Sequence, residues 1–343
     1  MEKKLALFCI AAERYSGLEV LFPIINELKK NKLVSNASLF FNKKSSVIVS
    51  YNRDSIIKRI SSSLFSKIIV SKNYMLPIYF FIFFLKNFLK CNVLIMGPNK
   101  MDDSIINKIK FFNFVKFIGY PNVTSFYNDE NVLYRKNIIN LNFNCIGYPK
   151  FYSSWFTIIN KFISNKDKTK KIIIFLPSIV EPVFSTNDFK EWFISVSNVI
   201  KEKKFKEQIV IKPHPMLKQN IIEFVKQNSQ DIDNYIIENS NSLSLLQNVS
   251  FVITADSSII MDCIYLEIKT LFYQKFTPNW LKRHPYRSKF LNLGAIYSDN
   301  LEDFKKNVDK IFEFQMPPKE IFLSKIEHKN NLLSFMSEHK IIP

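Results

Sequence analysis

The chain has 343 residues, 47% of them hydrophobic, with 48 Lys and Arg against 30 Asp and Glu for a net charge of +18. That length suits two domains, and that apolar content excludes a disordered chain. Such a charge invites a nucleic acid, an anionic membrane surface or a phosphorylated substrate. The lysines are spread through Asn-, Ile- and Phe-rich sequence with no nucleic-acid-binding module, which sets nucleic acid aside.

In chain order, Met1-Glu2-Lys3-Lys4 leads into the apolar run 5–10, which reads as a strand and not as a cleaved secretion signal. Further strands are expected at 37–41, 67–71, 92–96 and 114–119, and helices at 18–31, 54–64, 77–89 and 103–111. This alternation predicts a parallel sheet covered on both faces in a first domain, 1–150. Residues 75–89 are apolar almost all round and flanked by Lys72, Lys86 and Lys90. They fall short of the ~20 residues a bilayer span needs. They are expected either to pack on the sheet or to dip into an anionic membrane surface.

The pattern breaks over the turn-rich 121–136, and Gly147-Tyr148-Pro149 reads as a hinge turn before a linker, 151–170. Alternation then restarts in a second domain, 171–315. Strands are expected at 172–176, 208–212, 235–237, 250–254 and 270–273, and helices at 188–202, 217–228, 242–247 and 258–266. Helices 301–313 and 319–337 close the chain, and the last part, 316–343, is expected to cross back to the first domain. Cys9, Cys91, Cys145 and Cys263 form no CxxC and lie in or beside apolar runs, as buried reduced thiols of a reducing compartment do. The four histidines have no metal-ligand spacing, and Asp102-Asp103 reads as the start of a helix.

Ligands of open α/β sheets bind beyond the carboxyl ends of the strands, so polar residues there carry weight. In the second domain Lys212-Pro213-His214-Pro215 follows a strand directly. The flanking prolines keep His214 out of a helix, either facing a cleft as a phosphate donor or lying in a solvated turn. Thr254-Ala255-Asp256-Ser257-Ser258 follows another strand and opens a helix; its hydroxyls could cap the helix or hold a phosphate there. Leu176-Pro177-Ser178 is a weaker example of the same geometry. Trp155, Trp192 and Trp280 are expected in cores. For Arg283, His284 and Arg287 a solvated loop and an approach to the donor or an acidic acceptor both stand.

Taken together, Ile211-Lys212-Pro213-His214-Pro215, the Thr254-to-Asp262 segment and Leu271-Phe272-Tyr273 resemble the C-terminal half of GT-B transferases that build bacterial surface polymers. The likeness covers roughly 171–275. It extends to the CDP-glycerol glycerophosphotransferases of teichoic acid synthesis, bacterial sialyltransferases and capsule Kdo transferases. It implies two Rossmann-like, doubly wound domains facing a cleft, with His214, Ser257 and Ser258 on the phosphate of a cytidine nucleotide and Asp262 orienting the site or binding a ribose hydroxyl; Ser178, Lys212, Pro215 and Asp256 are expected beside them on the donor side. Three features depart from the glycerophosphotransferases: Ala255 stands where they tend to carry an acid, Ile268-Lys269 replaces a more usual turn with Pro or Gly, and no histidine precedes His214.

In the first domain, Ala12-Glu13-Arg14-Tyr15-Ser16-Gly17 resembles the strand-one loops of lipid A disaccharide synthases and Kdo transferases. An inverting sugar transfer needs a base on the acceptor hydroxyl. Glu13 is the candidate, with Gly17 allowing close approach of backbone to ligand; the alternative is that Glu13 pairs with Arg14 or a nearby Lys. The expected activity is metal-independent transfer of a CMP-activated acidic sugar, without further cofactor, to a glycan or lipid-linked acceptor. Transfer of a polyol phosphate from a CDP-linked donor is the alternative enzyme. A membrane-peripheral assembly protein without activity is the third reading. A cytoplasmic location, peripheral on a membrane face, suits all three.

Overall fold

A computed structural model describes residues 5–12, 15–42, 46–52, 92–96, 115–119, 144–145, 149–163, 169–179, 181, 184–240, 242–255, 257, 259–274, 293–325 and 332–338. The chain divides into two compact units, 1–159 with 327–343, and 160–326. The expected elements 54–64, 67–71, 77–89 and 103–111 lie outside the described residues, as does the membrane candidate 75–89.

In the first unit, strand β1 (Leu5–Ala12), helix α1 (Tyr15–Lys30) and strand β2 (Val34–Asn42) form a parallel β-α-β step. Strands β3 (Ser46–Asn52), β4 (Asn92–Met96), β5 (Val115–Gly119) and β6 (Asn144–Cys145) complete a sheet of order β2-β1-β3-β4-β5-β6. Strand β3 corrects the expectation of a purely parallel sheet, because it runs antiparallel to both β1 and β4. Only residues 43–45 separate β2 from β3, far fewer than the dozen or so a parallel crossover needs. Its signal was in the sequence: Val47, Ile48 and Val49 are a β-branched run.

The stretch expected as linker begins instead with a tight turn, Pro149–Phe151, and helix α2 (Ser153–Ile163), which packs on α1. Trp155 stacks on Phe22 with ring centroids 6.1 Å apart, and the Ser154 hydroxyl donates to the Glu27 carboxylate. Phe151, Tyr152 and Phe156 are buried beside them. The apolar face of this segment, invisible as a helix next to the charged 164–171, therefore belongs to a core.

The second unit is a six-stranded sheet of order β12-β11-β10-β7-β8-β9, parallel at every pairing. Its strands are β7 (Lys171–Phe175), β8 (Gln208–Lys212), β9 (Tyr235–Ile237), β10 (Val249–Thr254), β11 (Thr270–Tyr273) and β12 (Ala295–Ser298). Its helices are α3 (Thr186–Lys203), α4 (Gln219–Ser229), α5 (Ser242–Leu245), α6 (Ile259–Tyr265), α7 (Leu301–Lys310) and α8 (Lys319–Lys325). The end of the chain carries α9 (Leu332–Glu338), grouped with the first unit; Leu332 and Met336 are buried there. Strand β12, four residues long, was not expected.

The central strand reads Ile-Ile-Ile-Phe because both of its faces are covered. Ile172 and Ile174 pack with Phe189, Phe193, Val196, Ile221, Val225 and Phe304 on one face. Ile173 and Phe175 pack with Val210, Val252, Ile259 and the buried side chain of Cys263 on the other. Helix α3 starts from a reciprocal cap: Ser185 Oγ accepts from the Asp188 N–H, and Asp188 Oδ2 accepts from the Ser185 N–H. Trp192 on the buried side of α3 donates through Nε1 to the Tyr273 carbonyl at 2.7 Å, tying α3 to the end of β11. Trp192→Phe should therefore lower stability by about 1–3 kcal/mol in urea unfolding, the cost of an orphaned buried carbonyl, and leave nucleotide affinity unchanged.

Candidate functional site

In the second unit the chain starts at β7, proceeds to β8 and β9 on one side, then returns to β10, β11 and β12 on the other. The strand order reverses between β7 and β10, the place where open parallel sheets bind ligands beyond their carboxyl ends. Register aligns Thr254, Phe175 and Lys212 as the last residues of three adjacent strands. At the usual strand spacing the outer two ends lie ~10 Å apart, within the span of one small ligand. Two hydrogen bonds lock the row: Thr254 Oγ1 donates to the Phe175 carbonyl at 3.2 Å, and the Leu176 N–H donates to the Lys212 carbonyl at 2.9 Å.

Beyond β8 the turn is built around His214. The Leu217 N–H donates to the His214 carbonyl at 3.0 Å, and the Met216 N–H donates to His214 Nδ1 at 3.2 Å. A ring nitrogen that accepts carries no proton, so the proton of the neutral imidazole sits on Nε2 and is available to a ligand. Burial, and next the nearby Lys212 charge, lower the His214 pKa from its ordinary value. Pro213 is buried under the turn; Pro215 and Met216 are exposed on it. Lys212 itself is only 7% exposed, and its Nζ donates to the Pro213 carbonyl at 3.2 Å. Burial lowers the lysine pKa, and the Glu238 carboxylate opposes that shift.

Beyond β10, Ala255 is buried and Ser257 half-buried. Ser257 Oγ accepts from the Ile259 N–H at 3.4 Å, and its carbonyl accepts from the Ile260 N–H at 3.3 Å. The hydroxyl thus caps α6 while its own hydrogen stays available as a donor. Asp262 lies buried one turn into α6, and Ser178 is half-buried just beyond β7. Asp256, Ser258 and Glu13 lie outside the described residues, as do Trp280, Arg283, His284 and Arg287. Gly17, expected in the loop after β1, is placed in the first turn of α1, in the other unit. Among the described residues no group of three His, Cys, Asp or Glu could hold a metal ion, and no helix is long and apolar enough to cross a membrane.

The start of α3 differs from the turn after β8. It follows the first strand, where many such folds seat a phosphate. Here carboxylates hold the N–H groups: Glu181 Oε1 accepts from Thr186 at 3.1 Å, and Asp188 Oδ2 from Ser185 at 2.8 Å. Two carboxylates at this helix start disfavour a further anion there. Two groups at this edge escaped the sequence reading: the acids capping α3, and Glu238 directly after β9. The rule that selected His214, a polar residue immediately past a strand, would have found Glu238 as well.

No family model and no curated protein sequence matches the chain. Solved structures do. UDP-GlcNAc 2-epimerase from Neisseria meningitidis bound to UDP-GlcNAc superposes with a TM-score of 0.54 at 12% identity, over 97% of this chain and 98% of that one. The Methanocaldococcus jannaschii UDP-GlcNAc 2-epimerase in complex with UDP-GlcNAc and UDP gives 0.55 at 14% identity, over 97% and 99%. The S. aureus MnaA–UDP co-structure gives 0.55 at 12%, over 99% and 96%. Each likeness runs nearly end to end in both chains. The protein is α/β and of the GT-B type, with two Rossmann-like units.

The neutral His214 carries a pH signature. Its pKa is lower in the folded chain than in the unfolded one, so below about pH 6.5 the unfolded chain binds more protons and stability falls as pH falls. Urea unfolding between roughly pH 5 and 7.5 should show a shallower acid loss in His214→Gln than in the parent; parallel profiles would separate His214 from that loss.

Proposed function

We propose that the protein is a nucleotide-sugar-dependent glycosyltransferase that moves a CMP-activated acidic sugar onto a surface-glycan acceptor. The observation that carries this reading is the turn after β8, where the Met216 N–H fixes His214 Nδ1 as an acceptor and leaves its proton on Nε2, two strands from Ser257 beside the point of strand reversal. Neutral donors placed on a leaving phosphate strengthen as its charge develops, so they accelerate cleavage of the bond to the sugar. In the reaction the acceptor oxygen attacks the anomeric carbon, the bond from that carbon to the phosphate oxygen breaks, and CMP leaves. The acceptor proton passes to the carboxylate of Glu13, the base assigned in the other domain. Ser178, Lys212, Pro215, Asp256, Ser258 and Asp262 complete the donor side, and Gly17 lies near the base. The acceptor is glycan or lipid-linked, and the basic, apolar 72–90 segment would bring the enzyme to an anionic membrane face from the cytoplasmic side.

A second reading has its own observation. The structures that superpose over the whole chain include UDP-GlcNAc 2-epimerases, and on that ground the same edge would hold a UDP-sugar for epimerisation. Transfer of a polyol phosphate from a CDP-linked donor is a third use of the same phosphate seat.

Isothermal titration with CMP, CDP and UDP, followed by turnover with CMP-sugar, CDP-polyol and UDP-GlcNAc donors, separates these readings. Transferase action releases CMP from a CMP-sugar; phosphotransfer releases CMP from a CDP-linked donor; epimerisation interconverts UDP-sugars without nucleotide release. A protein that binds no nucleotide is a non-catalytic assembly factor. His214→Ala, and Ser257→Ala with Ser258→Ala, should each weaken nucleotide binding. The loss at His214 should be about 1.5–3 kcal/mol if the bound phosphate is charged.

Glu13→Gln should leave nucleotide affinity intact and slow transfer by a hundredfold or more, on the order of a lost general base. Equal losses of affinity and rate would place Glu13 on the donor side instead.

A further inference from the structure

Glu238 stands beside the anion-binding turn without belonging to it. Strand β9 pairs with β8 so that Ile237 lies against Ile211. The Glu238 N–H then donates to the Ile211 carbonyl at 3.0 Å, so Glu238 leaves its strand level with Lys212. The carboxylate is held from its far side, Oε1 accepting from the Ser240 N–H at 2.9 Å. Lys212 is anchored separately, on the Pro213 carbonyl beneath the His214 turn. Glu238 and Lys212 thus end neighbouring strands side by side, and His214 follows Lys212 two residues on.

We propose that Glu238 is a positioning residue of the anion site: it keeps the Lys212 ammonium charged beneath the His214 turn and so sets the affinity of that turn for a phosphate without touching the ligand. The proposal rests on the reading of that turn as a phosphate seat.

A lysine buried without an opposite charge tends to lose its proton. A carboxylate in direct contact would keep the proton but cancel the field. Glu238, tied to Ser240 and making no hydrogen bond to Lys212, does the first without fully doing the second. The charge that survives is felt at His214, where Lys212 favours the neutral ring. Among the described residues, Glu238 is the charge that acts on Lys212, and Lys212 the charge that acts on His214. The ligand would meet a neutral N–H donor backed by a fixed positive charge, which favours an anion over a neutral analogue.

Two measurements on the full chain test this. The first is CMP affinity by titration calorimetry from roughly pH 6.5 to 10, spanning the ordinary His and Lys ranges. The alkaline loss of binding, set by Lys212 deprotonation, should move to lower pH in Glu238→Gln. Near pH 10 affinity should fall about five- to tenfold below the parent's, and Glu238→Asp should recover most of it. The second is side-chain NMR of the ligand-free protein. Lys212 should titrate at lower pH in Glu238→Gln than in the parent, and Lys212→Met should raise the His214 titration.

An unmoved Lys212 titration in folded Glu238→Gln overturns the proposal. So does an unmoved His214 titration in Lys212→Met, which needs no Glu238 variant to fold. If the parent binds neither CMP nor UDP at any pH, the proposed function fails and the affinity half of this proposal with it, while the two NMR titrations still decide whether Glu238 holds the Lys212 charge.

Discussion

The second unit depends on the parallel pairing of β7 with β8 on one side and β10 on the other. A central strand with Ile172, Ile173 and Ile174 fully buried has no face left for polar chemistry. Helices cover both sides, and side-chain function is driven to the strand ends. Parallel pairing gathers those ends at a single edge, and the reversal of strand order there opens a space no helix can fill. Thr254 is bonded to the Phe175 carbonyl across the row, so the floor of the site is continuous with the most rigid part of the core. Precision at the edge is inherited from packing beneath it.

Stability alone does not account for what sits on that floor. Burial lowers the pKa of both Lys212 and His214, so each ionised form is disfavoured by the fold. An apolar residue in place of Lys212 would remove a desolvated charge. Groups held against their own solvation, beside one another and at a strand reversal, are an arrangement characteristic of binding sites. The backbone keeps His214 in one tautomer through the Met216 N–H, and the flanking prolines limit the ways the turn can relax.

The two helix starts nearest the strand reversal have opposite electrostatics. Helix α3 begins with carboxylates on two of its N–H groups, Glu181 on that of Thr186 and Asp188 on that of Ser185. The turn after β8 presents a neutral donor over an ammonium, and Ser257 keeps a donor hydrogen while capping α6. Under the proposed reading, the phosphate seat lies beyond β8 and β10 and not at the first strand-to-helix turn. The same topology can therefore serve different nucleotide geometries.

Much of this was legible in the chain. Buried parallel strands must be nearly continuous apolar runs, so 172–176, 208–212, 250–254 and 270–273 stood out, each within a residue or so of the observed strand, as did the polar residues that follow them. Strand β12 was too short and too ordinary in composition to be seen, and α2 was masked by the charged stretch after it. The antiparallel β3 was a matter of connection length, not of propensity. By itself the sequence determined the long buried strands of the second unit and the polar groups that follow them, because periodicity and proline constraints are local. Only the tertiary structure decided which strand ends become neighbours, that Trp192 ties α3 to β11, that carboxylates close the start of α3, and that Glu238 stands level with Lys212. Those facts follow from strand order and register, and strand order joins residues that are far apart in the chain.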